Sequence, residues 1–224
     1  MADYPLACIF DMDGTVVDNM SFHNRTWVEL LRHHNHHVEE DAFYRATAGM
    51  VNAAIFRLYF GDNISDDQIN ALSHEKESTY RSVYRDHRQP VSGLIHFLTE
   101  CQNRSIPCAL STSAPIDNVQ FIMEGTGLQP YFQAIVTGAD VTHSKPHPEI
   151  FLKTAEKLGV EPKDCIAFED APMGIESAHR AGMPVVVITT VLPAQDALAL
   201  PGVVQAVPDF QAISLQSLSA FQPA

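Results

Sequence analysis

The chain has 224 residues and a formal net charge of −13, with 46% hydrophobic and 18% charged residues. That size suits one large domain, or a domain carrying an insertion, with enough apolar residues for a sizeable core. The acidity and the lack of any Lys/Arg run argue against nucleic acid and anionic membranes as partners. No stretch approaches the ~18 apolar residues of a membrane span.

The apolar run "PLACIF" predicts a first strand, which ends in "DMDGT" (Asp11–Thr15). Its start, "MADYPLACIF", has no basic region and is unlike a secretion signal. From residue 19 to residue 92 no strand-like run occurs. Trp27, Leu30 and Leu31 are helically spaced, and "RHHNHH" (Arg32–His37) reads as the exposed end of that helix rather than a metal tract. "NAAIFRLYFG" is a short helix ending at Gly61. Ser65 and Gln68 form a predicted capping box that opens a long helix with Ile69, Leu72, Tyr80 and Val83 on its apolar side.

Beyond residue 93 strands and helices alternate. Leu94, Phe97, Leu98 and Cys101 have helical spacing, as do Val119, Ile122 and Met123. "PCALST", "AIVTG", "CIAFED" and "PVVVIT" are short apolar runs of the kind buried on both faces of a parallel sheet. "HPEIFLKTAEKLG" is a helix stopped by Gly159. The tail adds an edge strand, "VVQAVPDF", and a terminal helix, "QAISLQSLSAF". The predicted fold is therefore α/β: a Rossmann-like doubly wound parallel sheet (residues 1–18 and 93–224) with an inserted α-helical cap (residues 19–92). Cys8, Cys101, Cys108 and Cys165 form no CxxC pair and read as small buried hydrophobes in a reducing, cytoplasmic compartment.

In such a sheet all strand C-termini share one edge, where ligands bind. Asp11 and Asp13, Ser111 and Thr112, and Glu169 and Asp170 end three different strands. Carboxylates gathered there repel one another unless a cation neutralises them, and a small set of hard oxygen ligands suits Mg²⁺ with a substrate phosphate. Lys145, in a loop stiffened by Pro146 and Pro148, is the basic residue such a phosphate calls for. The neighbouring His143 and His147 read as polar loop groups.

"DMDGT" after an apolar strand resembles the first motif of the haloacid-dehalogenase superfamily. Ser111 resembles its second motif, Lys145 in "SKPHPEIF" its third, and "FEDAPMGI" its fourth, all in family order. The helical insertion resembles the cap of the β-phosphoglucomutase-like subfamily. The resemblance implies that Asp11 is a nucleophile forming an aspartyl-phosphate, and that Asp13 is the general acid and base. It also implies Mg²⁺ on Asp11, Asp13 and Asp170, with Glu169 as ligand or support. Ser111 and Lys145 would hold the phosphoryl group, aided by Thr15 and Thr112, while Asp18 is structural. On the cap it implies that His23 helps position the acid/base and that Lys76 contacts the substrate; Trp27, one turn after His23, is expected beside the substrate with them.

Two departures matter. Asn52 stands where the mutases carry an arginine for a second phosphate, and Ala114-Pro115 replace their Lys-Asn. The expected activity is a monomeric phosphatase acting on a small phosphorylated metabolite, a sugar phosphate. A β-phosphoglucomutase-type isomerase, an inorganic pyrophosphatase and a catalytically quiet phosphate-binding regulator are the competing readings.

Overall fold

A computed structural model describes residues 7–47, 50–218 and 221. In chain order, β1 (Ala7–Phe10) is followed by the helices α1 (Met20–His33), α2 (Glu40–Thr47), α3 (Asn52–Phe60) and α4 (Asp66–Tyr84). Then come α5 (Leu94–Asn103), β2 (Cys108–Thr112), α6 (Ile116–Thr126), β3 (Ala134–Thr137) and α7 (Glu149–Leu158). The chain continues through β4 (Cys165–Glu169), α8 (Pro172–Arg180), β5 (Val185–Ile188), α9 (Ala194–Leu198), β6 (Val203–Val207) and α10 (Leu215–Leu218). Pro5 and Leu6 of the first predicted strand, and Ser219 and Ala220 of the predicted terminal helix, lie outside the described residues. Contacts divide the chain into one unit of residues 1–18 and 89–224 and another of residues 19–88.

The first unit is a six-stranded parallel sheet in the order β3-β2-β1-β4-β5-β6, the doubly wound arrangement. Central strands are buried on both faces, and their alternation sorts side chains to two cores. Ile9, Ala167, Val185 and Val187 pack with Ile150, Phe151 and Ile175 on one side. On the other, Phe10 stacks on Phe168 with ring centroids 4.5 Å apart, and Phe97 and Phe210 close round them. Edge strand β3 departs from the predicted two-faced burial: Ala134 and Ile135 are only half-buried, because β2 covers a single side. Register then sets the site. Phe10 pairs with Leu110 on β2 and with Phe168 on β4, so the next residues along, Asp11, Ser111 and Glu169, come level at one edge.

The second unit is helical. Trp27, Leu30, Leu31, Phe43, Ile55, Phe56 and Ile69 form its core. The capping box is present: Gln68 N–H donates to Ser65 Oγ at 3.2 Å and Ser65 N–H donates to Gln68 Oε1 at 3.0 Å. One predicted apolar position is corrected, since Val83 is 45% exposed. Arg32–His37 lies exposed at the end of α1, apart from the half-buried His36, whose ring packs on Phe60. No helix among the described residues is long and apolar enough to cross a membrane.

Candidate active site

Lys145 enters the sheet edge from the loop between β3 and α7. Its Nζ donates to Asp11 Oδ1 at 2.6 Å, to Glu169 Oε1 at 2.6 Å and to the Ser111 carbonyl at 3.2 Å. Three strands thus converge on one ammonium. Carboxylate oxygens of Asp11, Glu169 and Asp170 lie within 4.8 Å of one another. Glycines make this packing possible. A Cβ at Gly14, which has φ +87°, would collide with the Asp170 carboxylate, and one at Gly174 would collide with that of Glu169. Thr190 Oγ1, from beyond β5, donates to the Gly14 carbonyl at 2.5 Å and pins the turn.

The electrostatics are unbalanced. Burial, with the charges of Glu169 and Asp13 and against that of Lys145, pushes the Asp11 carboxyl up to about 8. Burial and the neighbouring Glu169 and Asp11 push Asp170 up as well. Burial works against the Lys145 ammonium, yet Asp11 and Glu169 outweigh it and hold its pKa above the usual lysine value. Asp170 Oδ2, Ser111 Oγ and Thr15 Oγ1 are buried with no hydrogen-bond partner among the described residues. Buried polar atoms are normally paired, so these point to a group that the protein itself does not supply. An all-oxygen donor set with excess negative charge fits a hard divalent cation, and Ser111 and Thr15 offer hydroxyls to an anion beside it.

The other sequence-predicted residues divide in two. Asp13 is half-buried in the turn after β1, close enough to raise the pKa of Asp11. Thr112 is buried, and its Oγ1 accepts from Ala114 N–H at 3.1 Å, so that hydroxyl already caps a turn. Glu169 spends both oxygens locally, Oε1 on Lys145 and Oε2 on the backbone N–H of Asp170. That makes it a holder of other groups.

His23, Trp27 and Lys76 meet within the helical unit. Lys76 Nζ is 2.7 Å from His23 Nδ1 and 3.0 Å from Glu77 Oε1. An ammonium has no lone pair, so Nδ1 accepts and the His23 ring carries its proton on Nε2. Tyr80 stacks on His23 at 3.8 Å, and the Lys76 ammonium sits 5.4 Å from the Trp27 ring. Trp27 itself is core, packed on Phe43 and Phe56 at 4% exposure. Sequence reasoning missed Glu77 and its second partner: Asn52 Nδ2 donates to Glu77 Oε1 at 2.9 Å. Adjacent helical residues do not ordinarily face each other, so "HEKES" gave no sign of the Lys76–Glu77 pair. Thr190 carried no signal beyond its place after a strand.

A doubly wound sheet that gathers three carboxylates at the ends of β1 and β4, with a lysine from the loop after β3, has the site of a known class of hydrolase. The chain belongs to the haloacid dehalogenase-like hydrolases, whose family model matches residues 5–182. It is 34% identical over 178 residues to fructose-1-phosphate phosphatase YqaB of Escherichia coli K12, a match spanning 80% of this chain and 93% of that one. A family IA, variant 3 HAD hydrolase from Entamoeba histolytica has a similar structure, with TM-score 0.88 and 28% identity over 96% of this chain and 99% of that one. β-Phosphoglucomutase from Clostridium difficile matches with TM-score 0.84 at 22% identity, over 98% of this chain and 96% of the other, a likeness of fold.

Proposed function

We propose that this hydrolase is a Mg²⁺-dependent phosphatase that releases phosphate from a small phosphorylated metabolite, a sugar phosphate. The carrying observation is the Lys145-centred cluster of Asp11, Glu169 and Asp170, a site with surplus negative charge and partnerless hydroxyls. Phosphoryl transfer needs positioning and charge neutralisation above all. Asp11, Asp170 and the Asp13 carbonyl would hold Mg²⁺, with Glu169 in support. When bound, the ion would supply neutralisation for the transferring phosphoryl oxygens and favour the ionised form of Asp11.

Lys145, Ser111 and Thr15 orient the phosphoryl group. Asp11 attacks phosphorus as the bond to the leaving oxygen breaks, and Asp13 gives that oxygen its proton. Asp13 then takes a proton from a water whose oxygen attacks the aspartyl-phosphate, which frees phosphate and Asp11. His23 and Lys76 would contact the remainder of the substrate, while Trp27 acts through Lys76 from within the cap core.

The cap chemistry favours a single phosphate. Asn52 gives no cation, and it serves Glu77, which neutralises Lys76. A second phosphate would meet an amide at Asn52 and a carboxylate at Glu77, neither of which attracts it. The name of the Escherichia coli relative, a fructose-1-phosphate phosphatase, agrees with a sugar monophosphate. Four buried cysteines outside any disulfide suit the cytoplasm.

The test is p-nitrophenyl phosphate turnover, followed by a screen of sugar monophosphates. Turnover should need Mg²⁺, vanish with EDTA and vanish in Asp11→Asn with the fold intact. Wild-type rates in Asp11→Asn would overturn the nucleophile. Rapid isomerisation of β-glucose 1-phosphate with a bisphosphate primer, and little phosphate release, would make the protein a mutase.

A further inference from the structure

The loop that presents Lys145 carries a second cluster that the reaction does not use. His143, His147 and Glu149 hold imidazole nitrogens and carboxylate oxygens within 4.8 Å of one another. His143 Nδ1 is 3.0 Å from Glu149 Oε2, and the two imidazole rings are 4.5 Å apart. From these residues we infer that the protein has an outer binding site for a borderline transition-metal ion, Zn²⁺ or a similar cation, separate from the acidic centre.

The donor set separates the two sites chemically. Asp11, Glu169 and Asp170 offer oxygen alone, which suits Mg²⁺. Two imidazoles with one carboxylate suit Zn²⁺, Ni²⁺ or Cu²⁺, and three protein ligands leave a position open to water. The ligands are also held in advance. Backbone N–H groups of Thr142 and His143 donate to the Glu149 carboxylate at 3.0 and 2.9 Å, the kind of support that orients a metal-bound carboxylate.

The His147 backbone is tied at both ends. Its N–H donates to the Ser144 carbonyl at 3.0 Å, and its carbonyl accepts from Ser177 Oγ at 2.7 Å. Its Nδ1 takes only a long bond, 3.3 Å, from Glu149 N–H, which a metal can replace. Lys153 also opposes the site. Its Nζ lies 2.9 Å from Glu149 Oε1 and donates to the Asp140 carbonyl at 2.7 Å, but that side chain is 42% exposed. Exposed pairs of this kind are worth at most about 1 kcal/mol, so the lysine swings into water when a dication arrives. An ion here would fasten the loop two residues to either side of Lys145.

The experiment is a Zn²⁺ titration of the full chain at saturating Mg²⁺, read by competition with a chromophoric chelator. It does not depend on which substrate is cleaved. Because His33, His34, His36 and His37 could bind Zn²⁺ on their own, a variant with those four changed to Ala is titrated alongside. The expected result is one tight Zn²⁺ equivalent in the wild type and in that variant. In His143→Ala/His147→Ala it should weaken by about 100-fold, the upper end of what even a lost supporting partner costs. Co²⁺ in the wild type should show visible bands that the double variant lacks. The inference falls if the wild type binds no Zn²⁺, if the double variant binds it unchanged, or if the four-histidine variant loses it. His143 is 62% exposed, so the double variant should fold, and its unchanged Mg²⁺-dependent turnover without Zn²⁺ verifies that.

Discussion

Each unit of this protein holds a lysine away from water, Lys76 in one and Lys145 in the other, and the two are used in opposite ways. In the helical unit, Lys76 is 2% exposed and faces the His23 ring and the Glu77 carboxylate, an ion pair of one charge with one. In the sheet unit, Lys145 faces Asp11 and Glu169 directly, with Asp170 and Asp13 close by, so negative charge is in excess. A balanced buried pair is a structural solution. An unbalanced one, with partnerless buried oxygens beside it, is waiting for a ligand. The contrast teaches where chemistry sits, because a protein has no structural reason to bury three carboxylates on one ammonium.

Replacing each lysine by methionine should separate the two uses most widely. Lys76→Met removes the buried ammonium that donates to Glu77 and should cost up to about 3–5 kcal/mol of stability, read by urea unfolding. The double change Lys76→Met/Glu77→Leu should restore most of that loss. Lys145→Met should instead lower kcat by about 10²–10³-fold, the usual effect of deleting one preorganised charge from a reacting site. A Lys145→Met enzyme at near-normal kcat, or a Lys76→Met protein of unchanged stability, would erase the distinction.

The imbalance also predicts an unusual pH profile. A carboxyl whose folded-state pKa lies above its unfolded value adds stability that is complete below the unfolded pKa and lost as pH rises through the folded one. Asp11 moves from the ordinary 3.8 to about 8, so metal-free protein should lose stability steadily between those values. Asp170 moves in the same direction and deepens the loss. Lys145 is shifted above its usual value and stays charged throughout this window, so it contributes no slope. Mg²⁺ should flatten the profile by compensating the carboxylates. Urea midpoints at pH 5 and pH 8, with EDTA and with Mg²⁺, check this, and identical midpoints in EDTA would refute it.

The sheet-unit cluster was legible in the sequence because its geometry follows from strand ends. Short apolar runs marked β1, β2 and β4, and parallel pairing then had to bring Asp11, Ser111 and Glu169 level. Lys145 could be expected there on charge grounds and from the family pattern. What the sequence hid was non-local or contrary to local rules. Thr190 reaches Gly14 across 176 residues. Half-burial of β3 depends on strand order, which hydropathy does not encode. Val83 fits a 3.6-residue period, yet it faces solvent. Trp27 is core, a place the sequence could not separate from a site because aromatic residues serve in both.

Glu77 gives the finest probe of the contrast, because changing it to glutamine removes a negative charge beside Lys76 without altering the side chain's shape. The amide oxygen introduced by Glu77→Gln would still accept from Asn52 and Lys76, so the hydrogen bonds at 2.9 and 3.0 Å keep a partner of the same size. The negative charge beside Lys76 would then be gone. If His23 and Lys76 meet the part of the substrate remote from the reacting phosphate, a second anionic group there should gain affinity. The predicted outcome for Glu77→Gln is a fall of about 10-fold in KM for a sugar bisphosphate relative to the matching monophosphate, equal to about 1.4 kcal/mol, with kcat on the monophosphate nearly unchanged. A structural role alone would shift both substrates equally. Wild-type turnover on monophosphates tests the phosphatase reading by itself, so an unmoved ratio in an active enzyme would count against the cap assignment and leave the chemistry at Asp11 untouched.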